Sequence, residues 1–168
     1  MTLDIGISFT PQVPENGGYI GIDLNLHALD NARDEIGNRA NTFLFAASGT
    51  ALPLADKSIT TVQAYNVLSD STGVDIDYDF LNYEAGDPWA IAIHIRNMQL
   101  LNEVARVLKQ GGILKLKQTM GSPDFYDGLA NAVTHLRGDH RFLLIKTFDP
   151  DFADRTVSKH EFIRTVQD

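Results

Sequence analysis

The sequence predicts one α/β domain, residues 1–168, in which a mostly parallel central sheet carries helices on both faces. Compact apolar runs alternate with segments whose apolar residues recur every three or four positions, as in layered α/β folds. A length of 168 residues suits a single domain. Near the C-terminus two apolar runs follow each other with little between them, which predicts an antiparallel strand there.

The first half of the chain predicts strand, loop, strand and helix in that order. Residues 3–6 and Tyr19–Asp23 are the expected strands, and the prolines and glycines between them favour a loop. Asn25 is a suitable N-cap for a helix whose expected apolar residues are Leu26, Leu29, Ala32 and Ile36.

Two more strands are expected over residues 41–46 and within 58–68. A long helix follows, because Asp87 can cap it and Pro88 suits its first turn. Gly111 and Gly112 are expected to end this helix, and its predicted apolar face contains Met98, Leu101, Ala105 and Leu108.

The last third of the chain predicts a strand, a helix and a strand pair. Residues 113–118 form the expected strand, and the helix runs from 122 to Gly138. Residues 141–148 and 159–166 then predict an antiparallel hairpin at the end of the sheet.

Composition narrows the range of partners. The chain has 22 acidic and 14 basic residues and a formal charge of −8, so it would repel nucleic-acid phosphates. It has no apolar run long enough for a membrane span and no signal-peptide pattern at its start. Without cysteine, disulfides and thiolate chemistry are excluded, and the histidine spacing predicts no metal site. We expect a cytoplasmic protein.

Three segments are similar to the class I S-adenosylmethionine-dependent methyltransferases, especially their small-molecule branch. They are YIGIDL at 19–24, LPLADKSI at 52–59 and NEVARVLKQGG at 102–112. The resemblance implies a Rossmann-like methyltransferase fold with S-adenosylmethionine as cofactor. It also implies direct methyl transfer to a small molecule, for which the protein mainly supplies proximity and alignment.

The resemblance also implies which residues contact the cofactor. Asp23, followed by Leu24, ends the second strand, where the family's acid accepts hydrogen bonds from the ribose. The alternative is that Asp23 simply starts the turn into the next helix. The stretch Ala47-Ser48-Gly49 takes the place of the family's adenine-binding turn, with Ser48 instead of an acid. It could equally be a plain turn.

The largest departure from the family lies after the first strand. Asp4, Gly6 and Ser8 correspond to the glycine-rich loop that approaches the methionine part of the cofactor, but ISFTP follows Gly6 in place of further glycines. The family's helix between the first two strands has no room beside Pro11 and Pro14. Either a loop replaces that helix or the cofactor pocket is incomplete.

The catalytic residue is not identified by the sequence. Asn66, at the end of the fourth strand, could position the cofactor or a substrate amine, and its neighbour Tyr65 is a weak catalytic candidate. His94 could act as a base, although a lone histidine in a helix is more often structural.

An acidic insert with aromatic residues occupies 70–89. Carboxylates with aromatic rings could hold a cationic methyl acceptor, whereas the alternative is a solvated loop whose rings pack on the domain. The series Asp75, Asp77 and Asp79 lacks the glycine and glutamate of a calcium loop.

Two other kinds of protein compete with the enzyme hypothesis. A catalytically inactive methyltransferase-like domain that binds a protein partner would explain the altered glycine loop and Ser48. A nicotinamide dehydrogenase would share the sheet and the acid, but it requires G-x-G-x-x-G near Gly6, which is absent.

Overall fold

The computed structural model describes residues 1–7, 11–65, 67, 88–119, 135–139, 141–148 and 157–165. Within these residues the helices are α1 (Leu26–Ile36) and α2 (Pro88–Val107). Residues 135–138 are also helical. The strands are β1 (Thr2–Ile5), β2 (Tyr19–Asp23), β3 (Thr42–Ala46), β4 (Ile59–Tyr65), β5 (Leu108–Thr119), β6 (Phe142–Phe148) and β7 (Val157–Arg164).

All seven strands form one sheet in the order β3-β2-β1-β4-β5-β7-β6. The pairs from β3 to β5 are parallel, while β7 is antiparallel to both β5 and β6. The predicted fold class is therefore confirmed, including the C-terminal hairpin. From β1, the strands β2 and β3 follow toward one edge of the sheet, and the chain then returns to place β4 on the other side of β1.

One face of the sheet is apolar. Leu3, Val62, Leu114 and Phe162 are register partners on four neighbouring strands and are fully buried. We call these four residues the apolar row. They pack in one core with α2 and with Leu136 of the helical residues 135–138. Complete burial of such side chains stabilises the fold by about 1.5–3 kcal/mol each.

The opposite face carries polar side chains one residue further along the same strands. Asp4, Gln63, Lys115 and Glu161 are register partners across β1, β4, β5 and β7, and we call them the polar row. Helix α1 covers only the β2 and β3 side of this face, where its residues Leu29, Ala32 and Ile36 pack with Ile7 and Tyr19. Both faces therefore carry a helix, but no described helix lies over the polar row.

Helix α1 begins as predicted, with a different apolar side. The Asn25 side chain accepts a hydrogen bond from the His27 N–H, and Gly37 follows the helix at φ 62°. Leu26 is 64% exposed, so its expected burial was wrong, and Ala28 is buried instead. Because Leu26 is the first helical residue, it lies beyond the edge of the sheet that the later turns cover.

The boundary between α2 and β5 also differs from the prediction. The helix ends at Val107 rather than at Gly111, and Leu108 is already in a strand. The carbonyls of Arg106 and Val107 accept the N–H groups of Lys57 and Ser58, so pairing with the start of β4 ends the helix. Gly111, at φ 72°, lies where the β4–β5 register shifts.

Two of the family-like segments form a single clamp. Arg106 donates to the carbonyls of Leu52 and Leu54 and to Asp56 Oδ1. Glu103 accepts the Leu52 N–H at 2.8 Å and is paired with Arg106. The hydrogen bond with Arg106 lowers the pKa of Glu103, and its counterpart raises the pKa of Arg106. The clamp fixes the helix-free connection between β3 and β4 on the apolar face.

Two further expectations concern elements that are only partly described. Of the helix predicted over 122–138, the structure describes residues 135–138 as helical, with Leu136 buried. None of the described helices has both the length and the apolar character required to cross a membrane.

Candidate functional site

The candidate site lies at the carboxyl edge of the parallel strands, between β1 and β4. In open α/β sheets, ligands bind at the point where the strand order reverses. Here the order reverses between β1 and β4. The residues that follow β1, β2, β3 and β4 therefore meet at one edge, and most of the predicted cofactor-binding residues are among them.

Gly6 makes the turn that leaves β1. Its φ of 69° is a conformation that L side chains rarely adopt, and a Cβ there would meet Val67 Cγ1 at 2.3 Å. The Gly6 N–H donates to the Ile22 carbonyl at 2.9 Å, which holds this turn against β2. A glycine at this position is thus required by the backbone itself, and it brings the main chain close to Val67, two residues after β4.

Asp23 ends β2 and starts the turn into α1. Its Oδ1 accepts the Asn25 N–H at 2.8 Å, so the turn interpretation is correct for this oxygen. A carboxylate has capacity for further hydrogen bonds, and the turn does not exclude a ligand role. Leu24, the next residue, is 65% exposed at the same edge.

The turn after β3 lies beside these residues. The Ala47 N–H donates to the Asp23 carbonyl at 3.2 Å. Ser48 Oγ is 2.8 Å from Thr50 Oγ1 and accepts the Thr50 N–H at 3.2 Å. A Cβ on Gly49 would lie 2.9 Å from Ile5 Cγ2 and 3.1 Å from Leu100 Cδ1, so the turn packs tightly between β1 and α2.

Asp4 is only 2% exposed, under the edge rather than on it. Its Oδ2 accepts hydrogen bonds from the Tyr19 hydroxyl at 2.8 Å and from the Gln12 N–H at 3.3 Å. Burial raises the pKa of Asp4 to about 6, against the two hydrogen bonds and with help from the negative charge of Asp23. Burial and the nearby Asp4 also raise the pKa of Tyr19. These contacts give Asp4 a structural role, and its cofactor contact stays a prediction.

The loop predicted between β1 and β2 is described over residues 11–18, and its Gln12 contacts the polar face. Besides its bond to Asp4, Gln12 accepts the Gln63 amide at 3.0 Å through its carbonyl. The Tyr65 hydroxyl donates to Gln63 Oε1 at 3.0 Å, so this catalytic candidate turns back toward the sheet face. Burial, together with the charges of Asp4 and Glu161, raises the pKa of Tyr65.

The sequence did not identify two residues that shape this edge. Val67 faces Gly6, and its carbonyl accepts a hydrogen bond from Arg96 of α2 at 3.2 Å. Leu100, one turn further along α2, is the neighbour of Gly49. Nothing in the sequence around these two residues singles them out, because their roles follow from how α2 packs.

Several predicted site residues cannot be placed in this geometry. Ser8, Asn66 and the acidic insert up to Asp87 lie outside the described residues, and His94 is within α2. The roles proposed for them from the sequence stay predictions.

Several solved structures of methyltransferases are similar to this chain. The N-methyltransferase NodS from Bradyrhizobium japonicum, in complex with S-adenosylhomocysteine, matches 97% of this chain over 76% of its own, at a TM-score of 0.68 and 13% identity. A Methanosarcina mazei S-adenosylmethionine-dependent methyltransferase matches 99% of this chain over 92% of its own, at a TM-score of 0.63 and 13% identity. This chain has the class I methyltransferase fold.

A third similar structure is the complex between the Haloferax volcanii methyltransferase activator Trm112 and a methyltransferase. It matches 98% of this chain over 82% of its own, at a TM-score of 0.64 and 14% identity. No protein-family model and no curated protein matches the sequence. The likeness therefore lies in the methyltransferase fold, which this chain builds without a helix in residues 11–18.

Proposed function

We propose that this chain binds S-adenosylmethionine at the carboxyl edge of the sheet and transfers its methyl group directly to a small molecule. One observation carries the proposal: the turns after β1, β2 and β3 lie along the same edge of the sheet, beside the strand-order reversal between β1 and β4, and they contain Gly6 and Asp23. The shared fold with methyltransferases, one of them holding S-adenosylhomocysteine, supports it.

The described residues fit the chemical groups of such a cofactor. Asp23 offers a carboxylate to a ribose, and its Oδ1 already orients it through the Asn25 N–H. Gly6 and Gly49 add no side chain of their own at this edge, and Val67, Ile5 and Leu100 pack closely against them. Ser48 offers a hydroxyl in place of a carboxylate, which is a weaker partner for an adenine amine.

When bound, S-adenosylmethionine supplies a methyl group that its positively charged sulfur activates. The chain's own contribution is to hold and align the two molecules, which can lower a barrier by several kcal/mol. Asp23 would fix the ribose, the turn at Gly6 would allow close backbone approach, and Val67, tethered by Arg96, would form the opposite wall. This division of labour requires no dedicated catalytic acid or base.

Titration with S-adenosylhomocysteine tests the proposal. We expect calorimetric binding in the micromolar range and a higher melting temperature, because a ligand that binds only the folded form stabilises it by about 2.7 kcal/mol at 100 times its Kd. Asp23→Asn retains an oxygen for the Asn25 N–H but removes the charge, and it should weaken binding by at least about tenfold.

Asp30→Asn is the matched control. Asp30 lies on α1 in an exposed pair with Arg33, so the same charge change there should leave binding within about twofold. Equal weakening by the two variants would contradict the role of Asp23. Absence of both heat and stabilisation at millimolar ligand would contradict cofactor binding altogether.

A second candidate function is that of an inactive methyltransferase-like domain that binds a protein. One observation favours it: in the described sheet β6 is an edge strand, and it exposes 57% of Leu143 and 47% of Ile145. An exposed apolar edge can pair with a strand of a partner. This candidate would be supported if the chain does not bind S-adenosylhomocysteine and if Leu143→Lys abolishes its binding to a protein partner.

A further inference from the structure

A cleft of about 150 Å³ opens on the polar face of the sheet. The side chains at its base belong to β4, β5 and β7, and Gln12, from the loop between β1 and β2, forms one wall. Tyr65, Lys115, Lys117 and Glu161 are among the lining residues, and each is partly exposed. The cleft is available because no described helix covers this part of the sheet.

The cleft concentrates positive charge on a strongly acidic chain. Lys115 and Lys117 are two residues apart on β5, so both side chains leave the same face of the strand. Within the described residues, neither ammonium has a carboxylate within ion-pair distance, whereas Arg33, Arg106 and Arg141 are all paired. The formal charge of the whole chain is −8, so two neighbouring cations without a salt bridge are unusual here.

Aromatic and polar groups complete the surroundings of these cations. The Lys117 Nζ lies 5.5 Å from the centre of the Tyr65 ring, an arrangement that holds the ammonium by cation–π attraction. The Tyr65 hydroxyl donates to Gln63 Oε1, so its oxygen can still accept a hydrogen bond. Glu161, register partner of Lys115, places one carboxylate at the β7 side of the cleft.

We propose that this cleft binds a small molecule carrying an oxyanion, either a carboxylate or a phosphate group. The ammonium groups of Lys115 and Lys117 would donate hydrogen bonds to the oxyanion. Glu161 would accept a hydrogen bond from a hydroxyl or amine group elsewhere on the ligand. Charge-assisted hydrogen bonds of this kind are about twice as strong as neutral ones. Oxyanion binding in this cleft does not require that the chain transfers methyl groups.

Amide NMR of the full chain at low ionic strength tests the proposal. Inorganic phosphate and succinate are titrated separately, with chloride at matched ionic strength as the reference. We expect saturable shifts of the amides from Lys115 to Lys117 and of Glu161 with one of the two anions. The anion that saturates identifies the phosphate or the carboxylate source.

Variants separate a built site from general charge attraction. Lys115→Gln and Lys117→Gln should each weaken binding by about tenfold, and Glu161→Gln should strengthen it by removing the opposing charge. Lys109→Gln is the matched control, because Lys109 is an exposed lysine of the same strand outside the cleft, and it should change binding less than about twofold. Each variant's melting curve shows whether it folds.

Two results would overturn the proposal. One is equal weakening by Lys109→Gln and the two cleft variants, which would indicate attraction to charge alone. The other is linear shifts that fail to saturate with phosphate and with succinate and match those seen with chloride. Binding of S-adenosylhomocysteine is measured separately, so failure of this site leaves the methyltransferase proposal intact.

Discussion

The two faces of the sheet differ although they are built from the same strands. Leu3, Val62 and Leu114 face α2 and are fully buried. Their immediate neighbours Asp4, Gln63 and Lys115 form the opposite row. A shift of one residue thus changes a core position into a polar one.

Helix coverage explains this difference. The apolar row is covered by α2 and by residues 135–138, whereas over the polar row the described chain provides only a loop, which contacts Asp4 and Gln63 through Gln12. In this row Lys115 and Glu161 are partly exposed, while Asp4 and Gln63 are buried and hydrogen-bonded to the loop. The alternation of apolar and polar residues along these strands thus matches the helix on one face of the sheet and the loop on the other.

The largest expected effect comes from truncating the apolar row. Leu114→Ala should lower the free energy of unfolding by about 4 kcal/mol, because it removes buried contacts and leaves a cavity. Lys115→Ala, on the next residue of the same strand, should cost less than about 1 kcal/mol. Urea denaturation measures both, and similar losses would contradict the contrast between the faces.

A slightly smaller effect is expected from protonation of the buried carboxyl in the polar row. The pKa of Asp4 is raised from its ordinary value near 3.8 to about 6, so between these values the folded chain holds a proton that the unfolded chain releases. Relative to Asp4→Asn, the wild-type chain should therefore gain stability as the pH falls from 7 to 4. At about 1.4 kcal/mol per pKa unit, the gain approaches roughly 3 kcal/mol.

The comparison with Asp4→Asn isolates this carboxyl. Glu103 and Asp139 have lowered pKa values and lose stabilising charge on acidification, but they are present in both chains and cancel. Denaturation at a series of pH values measures the difference. A difference that stays constant, or that reverses in sign, would show that Asp4 is not buried as described.

The clamp on the apolar side gives the smallest of these effects. Arg106→Ala removes hydrogen bonds to Leu52 and Leu54 and the pair with Glu103, and it should cost about 2 kcal/mol. Arg33→Ala breaks an exposed pair and should cost at most about 0.5 kcal/mol. Equal losses in thermal denaturation would mean that the clamp does not fix the β3–β4 connection.

The sequence predicted the elements whose signals are local. Tyr19–Asp23 is a compact apolar run ending in an acid, and Asn25 caps the next helix through its own side chain. The end of α2 was not predictable in the same way. The last carbonyls of α2 accept hydrogen bonds from the N–H groups of Lys57 and Ser58, which end the helix. Because these partners lie far away in sequence, the prediction relied on the nearby glycines and placed the end too late.

The candidate site was predictable only in part, for the same reason. Gly6, Asp23 and Ser48 follow strands whose ends must meet at one edge, so their proximity follows from strand order. The roles of Val67 and Leu100 depend on how α2 packs against that edge, which no sequence period encodes. The polar row was not predicted, because it forms only when β1, β4, β5 and β7 pair in the observed register.

A crystal structure of the chain with S-adenosylhomocysteine tests the central claim most directly. The ligand should lie along the edge between Gly6 and the turn at Ser48, with the Asp23 carboxylate within hydrogen-bonding distance of the ribose hydroxyls. A ligand bound elsewhere, or an edge closed by the chain's own residues after Gly6 in crystals grown with saturating ligand, would contradict it.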